Sequence, residues 1–165
     1  MDLIKFKTNL LFYKIYKSIA SGSDYLNWSF SLLENDVESE SLFKLSSMNK
    51  ADSLFIFEDF FYKSLEEMEL KRPTVEETLE ARIILMCQEI VNQKSDPFKI
   101  ASDIFIEVIE LHFPDDLIVW LELSNAIDAI IYDNEGKKSN EDELKKRIID
   151  EAKKYLAMQE AEDIR

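Results

Sequence analysis

The chain has 165 residues, 46% of them hydrophobic, and a formal net charge of −14. That is enough apolar content for a sizeable core, and an acidity that argues against a surface built to bind phosphate backbones. Two glycines and three prolines argue against a strand-and-turn architecture, and a single cysteine, Cys87, excludes an intrachain disulfide and suits a reducing cytoplasm.

Residues 1–20 carry four lysines and one aspartate. Leu3, Phe6, Leu10 and Tyr13 recur at helical spacing, with Lys7, Lys14 and Lys17 elsewhere, which predicts an amphipathic helix docked on the core. A basic amphipathic helix can instead lie on an anionic membrane or grip a partner, and residues 4–7 alone also read as a short strand. The lysines are interleaved with the apolar residues, unlike a signal peptide, and no 18-residue uncharged apolar run predicts a membrane span. A cytoplasmic location follows as the default expectation.

Residues 21–24 form a break, with Ser23 or Asp24 placed to cap a helix that carries Trp28, Phe30, Leu32 and Leu33 to about Glu34. Residues 35–52 are rich in serine and acid and read as a loop region interrupted by a short helix over residues 42–45. Asp52 or Ser53 then caps a helix over residues 54–70. Its first half is crowded with Phe55, Phe57, Phe60, Phe61 and Tyr62, expected to pack against the apolar hairpin described below; an exposed aromatic patch would instead mark an interaction site. Lys71, Arg72 and Pro73 close that helix. Thr74 and Glu77 have capping-box spacing and open the next, which runs to about Asn92 with Val75, Leu79, Ile83, Met86 and Ile90 facing inward. Cys87 lies beside that stripe and is expected to be a buried, inert thiol.

Residues 96–136 read as the structural centre. Asp96 is placed to cap a helix with Pro97 at its first position, and Pro114 ends it. Asp115 and Asp116 fall where a second helix begins, at the positive end of its dipole. That helix carries Leu117, Ile118, Trp120, Leu121, Ala126, Ile127, Ile130 and Ile131, so more than one of its faces is expected to be covered. Residues 133–136 form a turn. Ser139 and Asn140 cap a last helix, with Asn140 and Glu143 in capping-box spacing and Leu144, Ile148, Ala152 and Tyr155 inward; residues 157–165 are expected to fray. The expected fold is all-α: a single domain over residues 1–165, a bundle of six to seven helices around the central hairpin at 96–135.

No motif declares a catalytic activity. His112 is the only histidine, so neither a zinc site nor paired Glu-x-x-His motifs can be assembled. With two glycines there is no nucleophile elbow, phosphate-binding loop or dinucleotide fingerprint, and no cofactor is expected. The carboxylates are patterned. Asp103, Glu107 and Glu110 fall at i, i+4, i+7, and Glu122, Asn125 and Asp128 at i, i+3, i+6, so each set lines one helical face. Residues 112–135 hold six carboxylates and no lysine or arginine. Such faces are solvated surface, a surface offered to a basic protein, or two stripes on adjacent helices that hold a divalent ion, although no loop with calcium-binding spacing is present.

The stretch ARIILMCQEI…SDPFKIASDIFIEVIELHFPDDLIVWLELSNAID, about a quarter of the chain, is similar in layout to helical members of the bacterial immunity proteins that neutralise toxins delivered between cells. The resemblance implies a non-enzymatic inhibitor in the cytoplasm of the toxin-producing cell, bound to one cognate toxin domain. It carries over no functional positions. The acidic pattern itself nominates Asp103, Glu107, Asp115, Asp116, Glu122 and Asp128 as partner-binding residues for a basic protein domain, without direct nucleic-acid binding. Two other readings stand beside it: a helical adaptor or regulatory subunit, self-associating through Trp28, Phe57 and Phe61, and an acidic-site hydrolase dependent on a divalent ion.

Overall fold

The computed structural model describes residues 2–132 and 138–163. The described residues contain eight α-helices and no strand: α1 Leu3–Tyr16, α2 Gly22–Leu33, α3 Glu40–Ser46, α4 Leu54–Glu67, α5 Val75–Val91, α6 Pro97–Glu110, α7 Val119–Tyr132 and α8 Lys138–Asp163. A 3-10 turn, Asp115–Leu117, precedes α7. The all-α expectation holds, with one or two more helices than composition suggested. No helix among the described residues is long and apolar enough to cross a membrane. The chain divides into two compact units, residues 2–78 and the residues from 79 onward.

The first unit is built from α1 to α4 around a core that includes Phe12, Tyr25, Trp28, Leu42, Phe57 and Phe61. α1 docks on this core, but through a face other than the expected one. Thr8, Asn9, Leu11 and Phe12 are buried, whereas Leu3 is exposed and Phe6, Leu10 and Tyr13 are half-buried. Two polar residues therefore sit on the inward stripe, and each finds a partner. The Thr8 hydroxyl donates to the Ile4 carbonyl (2.7 Å) and accepts from Trp28 Nε1 (3.1 Å), while Asn9 Nδ2 donates to the Glu77 carbonyl (3.4 Å). Buried polar groups with partners are tolerated, and here they hide the helix's true inward face from an apolar pattern.

Phe57 and Phe61 of α4, with Phe60 and Tyr62 packed beside them, belong to this same core. Phe57 and Phe61 are fully buried among residues of α1, α2 and α3. α2 begins at Gly22, capped by Ser21, whose backbone N–H and hydroxyl both donate to the Asp24 carboxylate, so neither Ser23 nor Asp24 is itself the cap. Gly22 is needed for close approach: a Cβ there would lie 2.7 Å from the Phe57 ring and 3.1 Å from the Lys50 carbonyl.

α3 is fastened to α4 by one carboxylate. Glu67 accepts from the Ser39 and Ser41 hydroxyls (2.5 Å each) and from the Ser41 N–H (3.0 Å), at the positive end of α3. The two hydroxyls and the N–H hold its carboxyl down at about 2, against an ordinary 4.5. A depressed carboxylate contributes stability that is complete above its unfolded value and is lost as pH falls toward the folded one. The Glu67→Gln variant is therefore expected to have a lower denaturation midpoint than the parent at neutral pH. The difference should shrink between pH 4.5 and 2; a pH-independent difference in urea titrations would contradict the assignment.

In the second unit α6 and α7 form the expected antiparallel hairpin and α8 packs on both. α8 buries Leu144, Ile148, Ala152 and Tyr155, as its spacing predicts. It begins at Lys138, upstream of Ser139 and Asn140, and continues to Asp163 where fraying was expected; Ala157, Met158, Gln159 and Glu160 are all good helix formers. The expected turn at 133–136 lies outside the described residues. α5 opens with its capping box intact, Thr74 N–H to Glu77 at 2.9 Å and Glu77 N–H to Thr74 at 3.2 Å. Leu79, Ile83, Met86 and Ile90 are buried, but Val75, in the first turn, is exposed.

Helix endings use an unusual residue choice. The chain turns left-handed (φ between 53° and 60°) at Ser18, Asp36, Glu69, Gln93 and His112, immediately after α1, α2, α4, α5 and α6. In each case the next N–H reaches back five residues, as from Leu70 to the Leu65 carbonyl (2.9 Å). This is the Schellman ending, in which glycine is the usual residue.

Candidate protein-binding face

The acidic residues singled out by sequence lie on α6, the 3-10 turn and α7, and the structure separates them. On α6 the buried stripe is Ile100, Ala101, Ile104, Glu107 and Val108. Glu107 therefore sits on the inward face, only 6% exposed, with Asp103 half-buried at its edge and Glu110 exposed. A surface partner cannot reach Glu107, so it leaves the set. The i, i+4, i+7 spacing that aligned it with Asp103 also aligned it with Ile100 and Ile104, and the second alignment describes the packing.

On α7 the inward residues are Trp120, Leu123, Ser124 and Ile127, which leaves Glu122, Asn125 and Asp128 exposed on the opposite side. α7 is thus covered on one face only. Ile118 and Ile131 are exposed, at 42% and 64%, and Leu121, Ala126 and Ile130 are half-buried, contrary to the expectation that several faces would be enclosed.

The approach to α7 is set by the end of α6. His112 and Phe113 both adopt positive φ (60° and 58°), and the Phe113 N–H reaches back to the Val108 carbonyl at 3.1 Å. Two left-handed residues before a proline make a sharp reversal, after which Asp115 and Asp116 emerge exposed on the 3-10 turn. His112 thus serves the helix ending. Leu117 and Trp120 anchor the segment beneath.

The charges do not balance within this face. Glu122 meets Arg147 of α8 at 3.0 Å, a solvent-exposed pair that sequence proximity could not reveal. Exposed pairs of this kind contribute little to stability. Asp115, Asp116 and Asp128 make no ion pair among the described residues. Asp115 and Asp116 line a groove of about 310 Å³ between the start of α7 and the last turns of α8. Its other walls include the apolar side chains of Ile118 and Met158 and the pair Glu151 and Lys154, 3.6 Å apart.

No group of three or more His, Cys, Asp or Glu converges as a metal site among the described residues. Cys87 is fully buried, and burial pushes its thiol up to about 12. A thiol-reactive probe such as Ellman's reagent should leave the folded protein unmodified and titrate one thiol after full denaturation; rapid modification of the native protein would contradict this burial.

Trp28, Phe57 and Phe61 are buried and cannot form a self-association surface. The exposed apolar residues of α4 are Leu54, Phe55 and Ile56, with Phe55 at 77%. Spacing alone does not separate the exposed Phe55 from the buried Phe57 and Phe61, so the sequence leaves an exposed patch here as an alternative to core packing. No protein-family model, curated protein or solved structure matches the chain.

Proposed function

We propose that this chain is a non-enzymatic, immunity-type binding protein that acts in the cytoplasm by neutralising a basic toxin domain. The observation that carries the reading is the set of exposed, unbalanced carboxylates, Asp115, Asp116 and Asp128, on a segment with no lysine or arginine of its own. Adjacent like charges such as Asp115 and Asp116 repel, and a partner of opposite charge relieves that repulsion while speeding encounter. Enzymes that cleave nucleic acids present basic clefts, and an acidic helical face of this kind is complementary to one. Exposed Ile118 and Ile131 flank the carboxylates and supply apolar area for the same interface.

The reading is tested through the gene's neighbours. A basic toxin domain encoded beside this chain should co-elute with it as a stable complex and lose its activity in that complex. A neighbourhood without such a domain, or a neighbouring toxin that stays active and unbound, contradicts it.

A second reading, a helical adaptor acting by self-association, is favoured by the exposed Leu54, Phe55 and Ile56. Sedimentation over a roughly hundredfold concentration range separates the two, since self-association is a mass-action effect and raises the mean mass with concentration.

A further inference from the structure

We infer that the groove between the start of α7 and the end of α8 is a socket for one arginine side chain projecting from a basic protein partner. This inference rests on the binding-protein reading and names the chemistry of its contact. The groove combines the two surfaces that an arginine presents. Ile118 and Met158, exposed at 42% and 39%, offer a wall for the methylene stem, which buries readily along apolar surface. The adjacent carboxylates of Asp115 and Asp116, neither of them ion-paired among the described residues, face a guanidinium whose planar fork suits carboxylates better than a compact ammonium does.

The groove already holds one cationic side chain of the protein's own. Lys154 lines it, with its ammonium 3.6 Å from Glu151. Neither Asp115 nor Asp116 forms an ion pair with it or with any other cation among the described residues. A volume of about 310 Å³ accommodates a single long side chain and is at the small end of ligand sites. Trp120 and Tyr155, nearly fully buried, form the floor, so the socket rests on packed core.

The test is a titration of the full chain, followed by NMR, with Nα-acetyl-arginine amide. Nα-acetyl-citrulline amide, nearly the same shape without the charge, is the control. Arginine amide should give saturable shifts at the Trp120 indole and at the Ile118 and Met158 methyl groups, with the citrulline analogue at least about fivefold weaker, as expected on losing a charge-assisted pair. The D115N/D116N variant, altered only at exposed positions, should keep the parent's helical circular dichroism spectrum and lose those shifts. Equal shifts from both analogues, shifts that survive in D115N/D116N, or none at these three residues would overturn the socket. The failures are separable. If arginine seats in the groove but no basic toxin domain binds the protein, the socket stands and the immunity-type reading falls. If a basic toxin domain binds parent and D115N/D116N equally well, the socket falls and that reading stands.

Discussion

Replacing Phe61 by alanine is expected to destabilise the N-terminal unit by about 4 kcal/mol, the cost of emptying a fully enclosed aromatic site. Phe61 has no exposed surface and touches four other rings: Phe12 at 5.4 Å between centroids, Tyr25 at 5.4 Å, Trp28 at 4.8 Å and Tyr62 at 5.2 Å. These rings come from α1, α2 and α4, so one truncation removes a contact shared by three helices. Each edge-to-face or tilted pair adds to simple burial, and the lost volume cannot be refilled without moving several large side chains. Against a typical stability of about 5–15 kcal/mol for a small domain, the loss takes a large share. Phe55, six residues earlier on the same helix and 77% exposed, is the internal control. Phe55→Ala should change stability by less than about 0.5 kcal/mol. Urea denaturation of both variants checks the pair, and similar losses in the two would refute the burial assignment of α4.

The second large effect has the opposite sign. Ser18, Glu69 and Gln93 are exposed residues at positive φ that end α1, α4 and α5. An L-residue in this conformation is disfavoured by roughly 1–2 kcal/mol relative to its preferred regions, whereas glycine adopts it without steric conflict. Glycine also has more freedom to lose on folding, which returns part of the gain. A net stabilisation of about 0.5–1 kcal/mol at each position is expected, and about 2 kcal/mol for the triple variant S18G/E69G/Q93G if the three turns act independently. No packing is sacrificed, since all three side chains are exposed. Thermal unfolding of the triple variant should shift upward; an unchanged or lower transition would show that side-chain interactions at these turns outweigh the backbone preference.

The sequence made the all-helical class legible because the signals for it are local: capping residues, 3.6-residue spacing and the scarcity of glycine. The Thr74–Glu77 box, the Asp96 cap with Pro97, and the inner face of α8 are read correctly from sequence for that reason. Facing was less legible. Thr8 and Asn9 are inward because Trp28 and the Glu77 carbonyl, 20 and 68 residues away, satisfy them, and no local pattern carries such partners. Glu107 shares its helical phase with Ile100 and Ile104 as well as with Asp103, so spacing alone cannot say whether a carboxylate follows the buried or the exposed neighbours. Periodicity reports that a face of α4 is buried and not what buries it, so spacing alone does not place Phe57 and Phe61 with Phe12, Tyr25 and Trp28.

Of the acidic residues, Asp115, Asp116, Glu122 and Asp128 are exposed as the pattern implied, and the groove beside the first two was not visible in sequence at all. It exists because α8 returns past the start of α7, placing Met158 and Lys154 next to residues some forty positions earlier. The same return supplies Arg147 to Glu122, which narrows the unbalanced charge to the aspartates.

Binding of a basic protein domain to this acidic face, as proposed, is measured by calorimetric titration. The toxin domain encoded beside this chain would be titrated into the parent protein and into a D115N/D116N/D128N variant, each at low and at high salt. A saturable complex is expected with the parent, weakening at least about tenfold in the variant with the salt dependence reduced in parallel, because exposed charges act through screened attraction. An affinity equal in parent and variant, or insensitive to salt in both, would contradict the proposal.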